Sequence, residues 1–135
     1  MLTDAGPLIA LASRRDADHA RCVSAARNLP AGPLVSTWPC FTEAMHVLLR
    51  IGGYPAQAAL WSLLAAGRLQ LHDFSTNEVE RMAGLMEKYR DQPMDLGDAS
   101  IVAVADTLGT KQVFTLDQDF RIYRLNDGSA LEIVP

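Results

Sequence analysis

An α/β fold built on a central parallel sheet, covered by helices on both faces, is what this sequence predicts, on three observations. Strand-like and helix-like segments alternate from end to end of the 135 residues. At 49% hydrophobic content there is enough apolar material for a sizeable core. No linker-like stretch, tandem repeat or low-complexity tract divides the chain, so residues 1–135 read as one domain.

The opening residues, Met1 to Thr3, read as a very short strand ending on Asp4. Gly6 and Pro7 lead into a helix, since proline is favoured in a first turn, and Leu8, Ile9, Leu11 and Ala12 supply its buried face. Arg14 and Arg15 fall where that helix should end and complement its dipole. Asp16 is the expected N-cap of a second helix reaching about Asn28, with Ala20, Val23 and Arg27 along one side and His19 solvated in the first turn. After the turn-forming LPAGP at residues 29–33, Leu34, Val35 and Ser36 make a second strand.

Pro39 opens a helix whose apolar stripe is Phe41, Ala44, Met45, Leu48 and Leu49, and which stops at Gly52 and Gly53. The next helix, Pro55 to about Ala66, is apolar nearly all round, which suits a core position or, for part of it, a protein interface. Arg68 to Phe74 alternates as a strand. Ser75 or Thr76 then caps a helix through Glu78, Val79, Met82, Leu85, Met86 and Tyr89. Residues 94–106, MDLGDASIVAVAD, supply a further helix from about Gly97. Gln112 to Thr115 form a strand leading into Asp117, Asp119 and Phe120, and Leu131 to Val134 form a last one after the NDG turn at 126–128.

Twelve Lys and Arg against 16 Asp and Glu leave a net charge of −4, which excludes gripping nucleic acid by overall charge. Any such role has to be local or to work through bound cations. Cys22 and Cys40 lack CxxC spacing and read as two reduced core thiols of an intracellular protein. With no basic, apolar leader and no apolar run long enough to span a bilayer, the expectation is a cytoplasmic protein.

One helix places an acid where oil belongs. Ile101, Val102, Ala105 and Leu108 recur three and four apart, and Asp98 lies on the same stripe, so it is expected to point inward. A buried carboxylate is costly unless it is hydrogen-bonded, protonated or facing a cation. A local alternative is that Asp95 caps the helix and Asp98 closes a capping box at the positive end of its dipole. Other acids weigh against a purely local role: Asp4 ends the first strand, Asp117 ends the strand after the central helix, and Glu43 lies in the first turns after the second strand. In a parallel α/β sheet such positions gather beyond the carboxyl ends of the strands. Carboxylates packed there raise one another's pKa values unless a metal is their partner. Oxygen-only ligands point to a hard ion, Mg2+ or Mn2+, and to displacement at phosphorus with an activated water. No Ser-His-Asp or Cys-His arrangement offers a competing chemistry, and His46 has no zinc-like spacing.

Asp4 followed by Gly6, Glu43 in the helix after the second strand, DASIVAVA from Asp98 and TLDQDF from Thr115 to Phe120 together resemble the PIN domain, in particular the VapC-type toxins of bacterial toxin-antitoxin modules. Order and spacing match over essentially the whole chain. The resemblance implies a three-layer α/β/α fold and metal-dependent endoribonuclease activity on structured RNA. It also implies a homodimer and neutralisation by a cognate antitoxin that puts a basic side chain into the acidic site. By position it makes Asp4, Glu43, Asp98 and Asp117 the catalytic, metal-binding quartet, Asp119 an auxiliary ligand and Asp95 a cap that also tunes the site. Ala5 departs from the family pattern, where Ser or Thr often follows the first acid; Thr3 or a backbone amide then has to orient Asp4. Arg14, Arg15, Arg50 and Arg121 are candidates for phosphate contact.

Two other classes compete. A receiver-like phosphoacceptor module shares length, alternation and an acidic pocket, but residues 53–60, GYPAQAAL, offer no acceptor acid, and Lys111 precedes its strand. A non-catalytic PIN-like module would keep the fold and block RNA or a protein partner without cutting.

Overall fold

The computed structural model describes all 135 residues, Met1–Pro135. Five parallel strands, β1 (Leu2–Thr3), β2 (Leu34–Thr37), β3 (Leu69–His72), β4 (Gln112–Phe114) and β5 (Glu132–Val134), form one sheet in the order β3-β2-β1-β4-β5. The helices are α1 (Ala5–Ala12), α2 (His19–Arg27), α3 (Trp38–Ala65), α4 (Thr76–Lys88) and α5 (Leu96–Leu108), with a 3-10 turn at Gln118–Arg121. The chain steps outward from β1 through β2 to β3, then returns across the sheet to β4. Right-handed crossovers therefore set α1–α3 on one face and α4 with α5 on the other. In keeping with that, α1 packs on α2 and α3, and α4 packs on α5. Strand order reverses between β1 and β4, which is where an open α/β sheet forms its crevice.

The central strand is the shortest. β1 has two residues, yet it is held from both sides: Leu2 lies opposite Val35 and Val113, and Thr3 opposite Phe114. The ladder continues one residue further, because the Asp4 N–H donates to the Phe114 carbonyl at 3.1 Å, and Ser36 Oγ donates to the Thr3 carbonyl at 2.8 Å. α5 packs on β1, β2, α3 and α4, so it is buried all round from Gly97 to Ala105 instead of along one stripe.

Several local expectations are corrected. α2 begins at His19, because the Asp16 carboxylate accepts the Asp18 N–H at 2.8 Å and closes a turn of its own before the helix. Its buried side is centred on Cys22, with Ala20 and Arg27 exposed; His19 is half-buried, its Nδ1 2.7 Å from the Ala10 carbonyl. Arg14 and Arg15 are exposed beyond the Ser13 C-cap, outside the last turn of α1. Leu49 is exposed because it sits about 100° round the helix from Leu48, off the buried line of Phe41, Ala44 and Leu48. Leu108 and Val79 are also exposed, and Thr115 lies just past the end of β4. Cys22 and Cys40 are both free and buried. No helix is long and apolar enough to cross a membrane.

The break anticipated at Gly52 and Gly53 is a kink inside one long helix: Gly53 adopts φ 65° and ψ −161°, a conformation that a residue with a Cβ avoids. Thr37 caps the start of this helix, with Pro39 in the first turn.

Away from the crevice, α4 is anchored by a capping box between Ser75 and Glu78. The buried Glu78 carboxylate accepts from the Ser75 N–H (2.8 Å), His72 Nε2 (2.8 Å) and Thr107 Oγ1 (2.9 Å). Burial opposes its ionisation, but these hydrogen bonds outweigh burial and hold the carboxyl down at about 2. Its folded value lies below the unfolded one, so the stabilisation is fully present above the unfolded value of 4.5 and is lost as pH falls toward about 2. Glu78→Gln should lower stability at pH 7 by roughly 2–3 kcal/mol, and the gap from wild type should narrow as pH falls below 4.5, as read by denaturant melts at each pH.

Candidate active site

The reversal between β1 and β4 brings Asp4, Glu43, Asp95, Asp98 and Asp117 to one end of the sheet. Asp4 leaves β1 as the N-cap of α1, and its Oδ1 accepts the Ala5 N–H at 2.6 Å. Its other oxygen accepts from Thr115 Oγ1 at 3.0 Å, and Cys40 Sγ lies 3.7 Å from Oδ1. A backbone amide thus does the orienting that a hydroxyl at position 5 would have done, while Thr3 turns its own hydroxyl to the Phe114 carbonyl.

Asp95 is the N-cap of α5: its side chain accepts the Asp98 N–H at 2.8 Å. Asp98 does not close the reciprocal half of a capping box. Its Oδ2 instead accepts a 2.8 Å hydrogen bond from the phenol of Tyr123, a fully buried residue beyond β4. The inward orientation expected from the helical stripe is therefore present. Glu43 and Asp117 are exposed at the mouth; a Cβ on Gly97 would stand 3.4 Å from Glu43 Oε2 and 3.2 Å from Asp95 Oδ1, so a glycine there lets the start of α5 come close to both acids. Asp117 Oδ1 caps the 3-10 turn by accepting the Asp119 N–H. The Asp119 carboxylate forms no hydrogen bond to the other acids; its charge is felt at Tyr123.

Beneath the acids lies a floor of buried hydroxyls. Thr37 and Ser100 share a 2.7 Å hydrogen bond, and Ser100 donates to the Gly97 carbonyl. Thr115, Tyr123, Thr37 and Ser100 were not foreseen as site residues. A signal existed for two of them: a buried tyrosine needs a partner for its O–H, and Thr115 opens the TLDQDF stretch.

No basic side chain pairs with these five acids; the ion pairs of the chain are Arg21–Asp18, His72–Glu78, Arg81–Asp106 and Lys111–Asp127. Arg14, Arg15, Arg50 and Arg121 are exposed, and Arg121 binds Gln118. Burial first, then the neighbouring carboxylates, push Asp4, Glu43 and Asp98 above their ordinary values, Asp98 to about 7 despite the opposing bond from Tyr123. Burial also pushes up Tyr123 and the Cys40 thiol. The acids ring the cleft without closing on one point, since no three His, Cys, Asp or Glu side chains stand close enough to hold an ion as they are placed. The donor set nevertheless fits a hard cation: it is all carboxylate, unpaired with any base, and Glu43 stands exposed at the mouth.

The family model of the PIN domain matches residues 1–125. The chain belongs to the PIN domain family. Divalent-metal dependence is the general property of ribonucleases of this family. Ribonuclease VapC26 of Mycobacterium tuberculosis is 29% identical to this PIN domain over 136 residues, covering all of both chains. Among solved structures, M. tuberculosis VapC20, a toxin that cleaves the sarcin-ricin loop, superposes with a TM-score of 0.83 at 17% identity over 99% of this chain and 98% of its own. VapBC2 of Rickettsia felis, solved on a DNA fragment from its promoter, gives a TM-score of 0.62 at 16% identity over the full length of both chains. These likenesses agree with the α/β architecture, and membership of the family removes the receiver-like reading.

Asp98 binds its proton more tightly in the folded PIN domain than in the unfolded chain, so stability falls as pH rises from 3.8 to about 7 and stays lower above that. In EDTA, Asp98→Asn should therefore raise stability at pH 8 by roughly 2–4 kcal/mol and change it little at pH 4, as calorimetry at the two pH values will read.

Proposed function

We propose that this PIN domain is a Mg2+- or Mn2+-dependent endoribonuclease, a VapC-type toxin acting on a structured RNA loop. The observation that carries the reading is the pair of buried acids, Asp4 and Asp98, held at the reversal of the sheet with no base to neutralise them. The full-length similarity to a ribonuclease and the likeness to a loop-cleaving toxin support the same chemistry.

In this reading Asp4, Asp98 and Asp117 hold the cation and Glu43 completes the site. When bound, the ion lowers the pKa of an attacking water and neutralises charge on the phosphate and leaving oxygen. Asp4 is kept in one orientation by the Ala5 amide and Thr115, and Asp98 by Tyr123, so the two inner ligands do not have to be ordered when substrate arrives. Glu43, at the exposed mouth, orients the attacking water and accepts its proton at Oε2. Asp95 adds negative potential and Asp119 supports the outer edge. To hold an ion Asp98 would have to give up its proton, so affinity for the ion should rise as pH passes upward through about 7.

A cognate antitoxin that places a Lys or Arg among these acids would supply the missing counter-charge, and the likeness to a VapBC complex supports such a partner. Self-association is assigned to the second half of α3, where Tyr54 and Trp61 stand exposed seven residues apart. The anchoring of Asp4 by the Ala5 amide and Thr115 supports a cutting enzyme over a silent module.

Purified protein incubated with total cellular RNA in Mn2+, Mg2+ or EDTA provides the test. Cleavage should require the ion and should fall at least a hundredfold in Asp98→Asn purified in the same way; equal cutting by both proteins would remove Asp98 from the site.

A further inference from the structure

The cleft beside the acids is also lined by residues that carry no negative charge. An open cleft of about 690 Å³ is lined by Trp38, Thr42, Glu43, His46, Asp95 and Leu96 among others. Trp38, Thr42 and His46 are four apart and share one face of α3, so an indole, a hydroxyl and an imidazole form a ladder along the cleft. Trp38 is 47% exposed and Leu96 50% exposed. The indole is nonetheless braced: it meets the buried Phe41 edge-on at 5.7 Å, and Phe41 meets Trp61 at 5.0 Å. A braced, half-exposed aromatic face loses little conformational entropy when a flat ligand settles on it.

We propose that Trp38 is the stacking platform of a nucleobase subsite, which seats a base of single-stranded RNA next to the scissile phosphate between the indole and Leu96, with Thr42 and His46 meeting its polar edge. The proposal rests on the ribonuclease reading and names how that site holds its substrate. Charge explains why such a subsite is needed. The chain carries −4 overall, so beyond the scissile phosphate met by the ion little affinity comes from the backbone of the nucleic acid. Stacking on an aromatic face is insensitive to that charge and tolerates any base. A loop whose bases are splayed out presents such faces, whereas a duplex hides them.

The test has three arms. Steady-state cleavage of an RNA substrate compares wild type, Trp38→Ala and Trp38→Tyr. In a Trp61→Phe background Trp38 is the sole tryptophan, so its fluorescence is titrated with a single-stranded RNA oligonucleotide and with an abasic ribose-phosphate oligomer of equal length, in Ca2+. Sedimentation of each variant reports its oligomeric state. Trp38→Ala should raise KM about tenfold or more with kcat within about twofold, Trp38→Tyr should recover most of the loss, and only the base-bearing oligomer should quench Trp38. An unchanged KM, or equal quenching by the abasic oligomer, would overturn the subsite. So would a KM rise that tracks conversion to monomer, since the face would then belong to a second copy of the chain. If wild type cuts no RNA, the nuclease reading fails by itself, and the quenching arm still decides whether a base is bound.

Discussion

Like charges that cannot escape one another govern this molecule. Asp4 and Asp98 sit below the surface, with Glu43, Asp95 and Asp117 around them, and no lysine or arginine is paired with any of the five. The fold tolerates this because every buried polar side-chain atom has a hydrogen-bond partner. Amide, threonine and tyrosine donors satisfy the carboxylates, but they leave the net charge in place. The protein is therefore built with an unmet demand for positive charge at one end of its sheet. In the proposed reading, a divalent ion and a basic side chain of an antitoxin would be two answers to that one demand.

Architecture was legible in the sequence because it follows from alternation and from punctuation. Glycines and prolines marked the breaks, and five strand segments were found where the sheet has five strands. The misplaced details share a cause: local chemistry competing with periodicity. Asp16 carries the right residue type for a cap but spends its carboxylate on a turn. Leu49, Val79 and Leu108 have the right chemistry for a core but project from helices whose buried line lies elsewhere. Strand order is not written in any local pattern, since it depends on which edges meet after the helices have packed.

The acids themselves were legible for a different reason. An aspartate on an apolar helical stripe contradicts the pattern around it, and such contradictions tend to mark sites. What fixes those acids was not legible. Tyr123 and Asp98 are 25 positions apart, and Thr115 and Asp4 are 111 apart, so no spacing rule links them. At Asp4 the sequence leaves two candidates for orienting the acid, Thr3 or a backbone amide, and it is the Ala5 N–H that takes the role. The choice between a capping box and an inward acid at Asp98 likewise needed coordinates, because both readings place the same residue at the same position of the same helix.

The hydroxyl of Thr115 has two bonds: it donates to Asp4 Oδ2 and accepts the Asp117 N–H at 3.0 Å. One oxygen atom thus spans the gap between the end of β1 and the end of β4, and ties the Asp4 carboxylate to the backbone of Asp117. Neither can drift without dragging the other. The cleft therefore has one fixed jaw, in which Asp4 is tied through Thr115 to the backbone of Asp117, while the exposed Glu43 side chain on the opposite side adjusts to whatever is placed between them.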